Sequence, residues 1–180
     1  IKKGDHKMRT SYENFGMINF QSIPELAKDL FSKNYLLRKK AREELVEIGK
    51  PSLDVLKELA HNEDETVRWE AMITIVQIGS EDALNILLNA LTDEEFSIRW
   101  LAAEGLVNLG KYAIVPVLQE LQDKPDSAFL RRGVHHVLYE LRKSGVFKDN
   151  YALVETLANE FDHTNIVLKL QKTINSIRLT

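Results

Sequence analysis

The sequence contains no cysteine. Disulfides, thiolate nucleophiles and cysteine-ligated zinc are therefore outside its chemistry. Glycine and proline are sparse, at 8 and 4 of 180 residues, which excludes a collagen-like or linker-rich chain. Apolar runs are short, Ile86-Leu87-Leu88 being typical, so no segment is expected to span a bilayer. The N-terminal stretch also lacks the apolar centre of a secretory signal. A cytoplasmic location and no membrane partner are expected. What is present, 44% hydrophobic and 28% charged residues, suits a folded chain long enough for one domain with a sizeable core.

Charge is distributed unevenly. The formal net charge is −3, but residues 1–42 hold ten Lys/Arg against four acids (+6), and residues 43–180 hold 14 against 23 (−9). A basic end on an acidic body constrains partners more than fold. The chain begins with Ile1, and Met8 and Met17 are candidate natural starts. Residues 1–20 show no hydrophobic period and are expected to be a tail, native or appended, from which Phe15, Met17, Ile18 and Phe20 could dock onto the body. Residues 21–180 are expected to form a single domain.

The organising feature is an internal repeat. From Arg38 the chain reads RKKAREELVEIG, from Arg68 RWEAMITIVQIG, and from Arg99 RWLAAEGLVNLG. A degraded fourth copy, RRGVHHVLYELR, starts at Arg131, with Val134 in place of Ala and Arg142 in place of Gly. The four arginines are 30, 31 and 32 residues apart, a period that marks a helical solenoid. Within the second copy Val67, Ala71, Ile75, Val76 and Ile78 make one apolar stripe on a 3.6-residue helix. Gly49, Gly79 and Gly110 stand where a left-handed C-cap is predicted. Second helices are expected over 52–61, 81–91, 112–122 and 150–161, with acidic loops between copies that can cap the following helices.

These units resemble HEAT-type repeats, of the short bacterial class also found in phycobilin-lyase-like proteins. The resemblance rests on the Arg-x-x-Ala core, the Gly stop and the preceding acid. It covers roughly residues 34–145 and extends more weakly to 161. It implies an all-α, right-handed α-solenoid of about four helical hairpins that acts chiefly as a binding scaffold. Segments 22–32, with Ser22 as N-cap and an early Pro24, and 165–179 are expected to cap its two ends.

Candidate functional features are few. The arginine column (Arg38, Arg68, Arg99, Arg131) could bind anions, but a structural role is favoured, each guanidinium bridging loop carboxylates of adjacent units. Arg38, with no acidic loop before it, is expected to be the free member. Trp69 and Trp100 share one repeat position and are expected side by side, with Lys39 and Arg132 extending the row. Inter-repeat packing is favoured for them over a role as partner anchors or base-stacking rings. His135 and His136 point about 100° apart on one helix and are expected to be packed or surface residues rather than a metal pair. Lys33, Arg38, Lys39, Lys40 and Arg42 are followed by Glu43, Glu44 and Glu47, a salt-bridged face rather than a phosphate-binding one. Motifs for nucleotide, zinc, calcium or serine-hydrolase chemistry are absent from the sequence.

The expectation is a protein-interaction scaffold without enzymatic activity, cofactor or metal. In the family it resembles, second helices line the concave side, so outward-facing Asp54, Glu58, His61, Asn85, Asn89, Gln119, Glu120, Gln122, Glu155 and Asn159 are expected to form a polar-to-acidic face for a protein or peptide, with Trp69 and Trp100 as further binding candidates. A nucleic-acid-binding HEAT-like protein is the alternative, disfavoured by the −9 body. An accessory subunit of a chromophore lyase is another, drawn from the resemblance alone.

Overall fold

A computed structural model describes residues 22–147, 151–158 and 163–178. The expected tail and Asn159 lie outside the described residues. Among those residues there are ten α-helices and no strand.

Each helix has a local cause. In α1 (Ile23–Asp29) the Ser22 N–H donates to the Glu25 carboxylate at 2.8 Å while the Glu25 N–H returns to the Ser22 carbonyl. Asn34 caps α2 (Tyr35–Ile48) and Asp64 caps α4 (Glu65–Ile78), each side-chain oxygen accepting the N–H two residues on. Before α6 (Phe96–Asn108) the N-cap residue is Glu95, which makes no side-chain cap. Asp93 Oδ1 accepts the Glu95 N–H at 2.8 Å and shapes the loop ahead of the helix, as Asn62 does for Asp64 before α4. Ser127 caps α8 (Ala128–Lys143). The predicted stripe is buried as expected at Val67, Ala71 and Ile75, but α4 is buried more widely, at Glu70, Met72 and Thr74 as well.

The glycine stops all carry positive φ, yet only Gly79 (φ 62°, ψ 23°) is left-handed helical. Gly49 and Gly110 have ψ of −134° and −130°, a region still more restricted to glycine, and Gly110 opens the next helix instead of capping the previous one. In the fourth copy, with Arg142 at the stop position, α8 runs on and turns at Gly145.

The second helices are α3 (Leu53–Leu59), α5 (Leu84–Ala90) and α7 (Lys111–Asp123). The first two are entered through short 3-10 turns, Lys50–Ser52 and Glu81–Ala83. Helices α2, α4, α6 and α8 pack in sequence as one layer, and α1, α3, α5 and α7 form the other. One continuous core runs between them, from Leu26 and Leu30 through Leu56, Ile75, Leu87 and Leu106 to Leu118 and Leu138. Neighbouring units thus bury surface that no hairpin could cover alone, each such Leu or Ile contributing about 1.5–3 kcal/mol. The molecule is an α-solenoid.

At the C-terminal end the expected order changes. Helix α9 (Tyr151–Ala158) packs on α8, and it is α10 (His163–Arg178) that packs on α7. The second-layer position after α7 is therefore filled by the helix expected as a cap. Glu155 consequently belongs to the α8 side, close enough to His135 to act on its charge, and not to the face of Gln119.

Candidate functional site

The arginine column is a ladder built on one repeated bond. Arg38, Arg68 and Arg99 each donate from Nη1 to the carbonyl six residues earlier, Ser32, Asn62 and Asp93, at 2.8, 2.8 and 2.7 Å. Their remaining donors meet different partners. Arg68 forms a fork with Asp93 of the next unit, Nε to Oδ2 at 2.9 Å and Nη2 to Oδ1 at 3.3 Å. Arg38, expected to be free, is not: its Nε donates to Glu70 Oε1 at 2.5 Å. Asn62, which stands in the following loop where Asp93 stands one unit later, has no carboxylate. A helix carboxylate, only 1% exposed, takes its place and also accepts Arg42 Nη1 at 2.5 Å. Arg99 has no carboxylate partner among the described residues; its guanidinium carbon lies 4.1 Å from the Phe129 ring centroid. Arg131 is 5% exposed, and its Nη1 has no hydrogen-bond partner among the described residues.

The two tryptophans are not a pair. Trp69 faces the Arg42 guanidinium at 5.6 Å, and Trp100 faces the His136 ring at 4.6 Å and Phe96 at 6.3 Å. No ring contact joins the two indoles among the described residues. The row expected to continue through Lys39 does not form, because the helix offset brings Arg42 rather than Lys39 against Trp69. Lys39 and Lys40 instead reach Glu43 and Glu44 at 3.7 and 3.5 Å, as the spacing predicted. Arg132 does line one cleft with Trp100.

His136, which aligns with Glu104 in the repeat, bonds it through Nε2 at 2.7 Å. His135 is part-buried, and burial first, then the neighbouring His136, push its pKa down against an opposing pull from Glu155. No group of three His, Asp or Glu able to hold a metal occurs among the described residues.

The second-layer candidates divide. Asp54 and Asn85 line a groove of about 580 Å3 between α3 and α5. Asn85, Gln119, Glu120 and Gln122 line another of about 490 Å3 between α5 and α7. Asn85 thus joins the two. Glu58, His61 and Asn89 are exposed but line neither, and His61 Nδ1 donates to the Lys57 carbonyl at 2.8 Å. The face is less acidic than expected because lysines neutralise it. Lys124 reaches Glu120 at 2.5 Å, Lys57 shares the first groove with Asp54, and Lys50 reaches Asp82 at 2.6 Å. The Lys50 hydrogen bond holds the Asp82 carboxyl below its ordinary range and raises Lys50 above its own.

The residues that sequence reasoning missed are Glu70, Phe96, Phe129 and Gly133. The last three belong to a cleft of about 190 Å3 between α6 and α8, shared with Arg99, Trp100, Ala103, Arg132 and His136.

Residues 23–98 match the family of HEAT repeats. Among solved structures, the fold resembles that in the complex of CpcE and CpcF of phycocyanin lyase from Nostoc, at 22% identity and a TM-score of 0.56, covering 83% of this chain and 95% of that one. An archaeal HEAT-like repeats protein from Thermococcus onnurineus aligns at 21% identity and a TM-score of 0.48, covering 82% and 62% of the two chains. An engineered protein aligns at 20% identity and a TM-score of 0.42, covering 83% and 76%. No curated protein matches the sequence. The fold is that of a helical repeat solenoid, and its first half matches HEAT repeats. No helix among the described residues is long and apolar enough to cross a membrane.

Proposed function

We propose that this chain is a non-enzymatic scaffold that holds a protein or peptide partner along its second helix layer. The supporting observation is the pair of grooves that run from α3 across α5 to α7, joined at Asn85 and lined by Asp54, Gln119 and Glu120. Amide and carboxylate groups at regular separations suit the backbone and basic side chains of an extended segment, and solenoid stacking supplies that regularity. Trp69 and Trp100 lie on the first layer and take no part in this face. Affinity purification from the native host tests the reading. Reversing charge with Asp54→Lys, Glu58→Lys and Glu120→Lys together is expected to remove the partner, and its undiminished recovery would refute use of this face.

A second reading, an accessory subunit of a chromophore lyase, draws on the likeness to the phycocyanin lyase complex, a likeness of fold alone at 22% identity. Mixing the purified chain with a bilin tests it. An absorbance change would support it, and an unchanged spectrum would end it.

A further inference from the structure

We propose that the cleft between α6 and α8 receives a linear segment of a partner protein bearing a carboxylate beside an apolar side chain, with Arg99 as the receiver of the carboxylate. The proposal rests on reading the chain as a protein-binding scaffold, but places a second contact on the opposite layer.

The first ground is a break in the arginine ladder. Arg38 and Arg68 each take a carboxylate from the following unit, Glu70 and Asp93. Asp93 stands six residues before Arg99, and the residue six before Arg131 is Pro125, which has no carboxylate to give. Arg99 therefore donates only from Nη1, to the Asp93 and Glu94 carbonyls, leaving Nε and Nη2 without an acceptor among the described residues. That edge of the guanidinium is the fork that binds a carboxylate through two parallel bonds.

The second ground is what surrounds it. Phe96, Trp100 and Phe129 are 68%, 46% and 44% exposed and converge on the cleft, a concentration of large apolar surface that a stable face seldom leaves in water. Ala103 and Gly133 keep its floor low. A Cβ at Gly133 would lie 2.9 Å from Leu91 Cδ2, so a side chain there needs the Leu91 side chain to shift. A volume of about 190 Å3 is below the roughly 300–1,000 Å3 of small-molecule pockets and suits one anchoring side chain. Arg132 also lines the cleft, and Glu104 shares a hydrogen bond with His136 beside it. Arg and aromatic residues are the types that dominate binding energy at such centres. A nucleic acid fits less well, since residues 43–180, which carry the cleft, hold 14 Lys/Arg against 23 acids.

The experiment is panning of a random heptapeptide phage library against the full chain, followed by fluorescence anisotropy with the most enriched peptide. Enrichment of Asp or Glu next to an aromatic or branched aliphatic residue is expected. Arg99→Gln is expected to weaken binding at least tenfold, Arg99→Lys to recover part of it, and replacing the peptide's own acid by its amide to cost the same on the unaltered protein. The last arm needs no protein variant, so it stands even if Arg99 variants fold poorly. The Asp54, Glu58 and Glu120 triple variant is expected to bind the peptide as the parent does, which separates failure of this cleft from failure of the second-layer face. Selected peptides without acid, binding indifferent to the acid-to-amide change, or displacement by an equimolar single-stranded oligonucleotide would each overturn the proposal.

Discussion

Glu70 offers the sharpest test of how the units are held together. It is 1% exposed and accepts two charged donors from α2, the Nε of Arg38 and Nη1 of Arg42. Glu70→Ala leaves both cations without their counter-charge. Loss of one partner from a buried pair costs about 3–5 kcal/mol. The Arg38 side chain is 17% exposed and keeps its bond to the Ser32 carbonyl, so part of its loss is recovered by water. Arg42, at 9%, has, among the described residues, only the Trp69 ring nearby as compensation. The lower end, about 3 kcal/mol, is therefore expected, a fall in Tm of about 6–12 °C for a chain of this size. Because a solenoid's stability is a sum over nearest-neighbour interfaces, the loss should be local. Hydrogen exchange is expected to show lost protection in α1 and α2 while α6 and α8 keep theirs. Glu70→Gln, which keeps shape and one acceptor, should cost less. A loss under about 1 kcal/mol in denaturant titration, or protection lost evenly along the chain, would refute the reasoning.

Asp93 joins two jobs, the loop turn before α6 and the pair with Arg68, and a double-mutant cycle with Arg68 separates them: a coupling of about 1–2 kcal/mol is expected for a part-buried fork, and a value near zero would mean that the loop turn alone keeps the residue. Asp64→Ala removes an N-cap and is expected to cost about 1 kcal/mol by denaturation, with Asp64→Ser recovering most of it. His135 makes stability fall in acid. Its pKa is lowered in the folded state, so the unfolded chain binds more protons as pH drops through the ordinary histidine value of about 6.5, and the loss levels off below the folded value. Melting at pH 7.5 and 5.5 should show a smaller acid shift in His135→Gln than in the parent, and equal shifts would exclude this histidine as the cause.

The solenoid was legible because every unit must bury the same stripe. That requirement repeats Ala41, Ala71 and Ala102 at one position and a glycine or its substitute at the stop. Glu70 was illegible for the opposite reason. Its position is Lys40, Leu101 and Gly133 in the other copies, so a residue central to one interface leaves no periodic trace. The tryptophans illustrate a third case, right about recurrence and wrong about neighbours. Two residues at one repeat position stand one above the other only if adjacent helices are in register. Here the offset sets Arg42 against Trp69 and His136 against Trp100. The grooves of the second layer followed from outward spacing, but their neutralising lysines needed distances. Beyond α8 the period itself ends, and nothing in the spacing separated α9 from α10 as the helix that packs on α7.

A chain made of near copies faces a hazard that unique sequences escape: one unit can settle against the wrong sibling during folding or across two molecules. The ladder answers it by giving each rung its own lock. The first joint closes on a buried glutamate between two arginines, the second on a forked aspartate, the third on a phenylalanine face. A unit displaced by one place would present the wrong key at every joint, so the same column that makes the copies look alike also dictates the order in which they can be assembled.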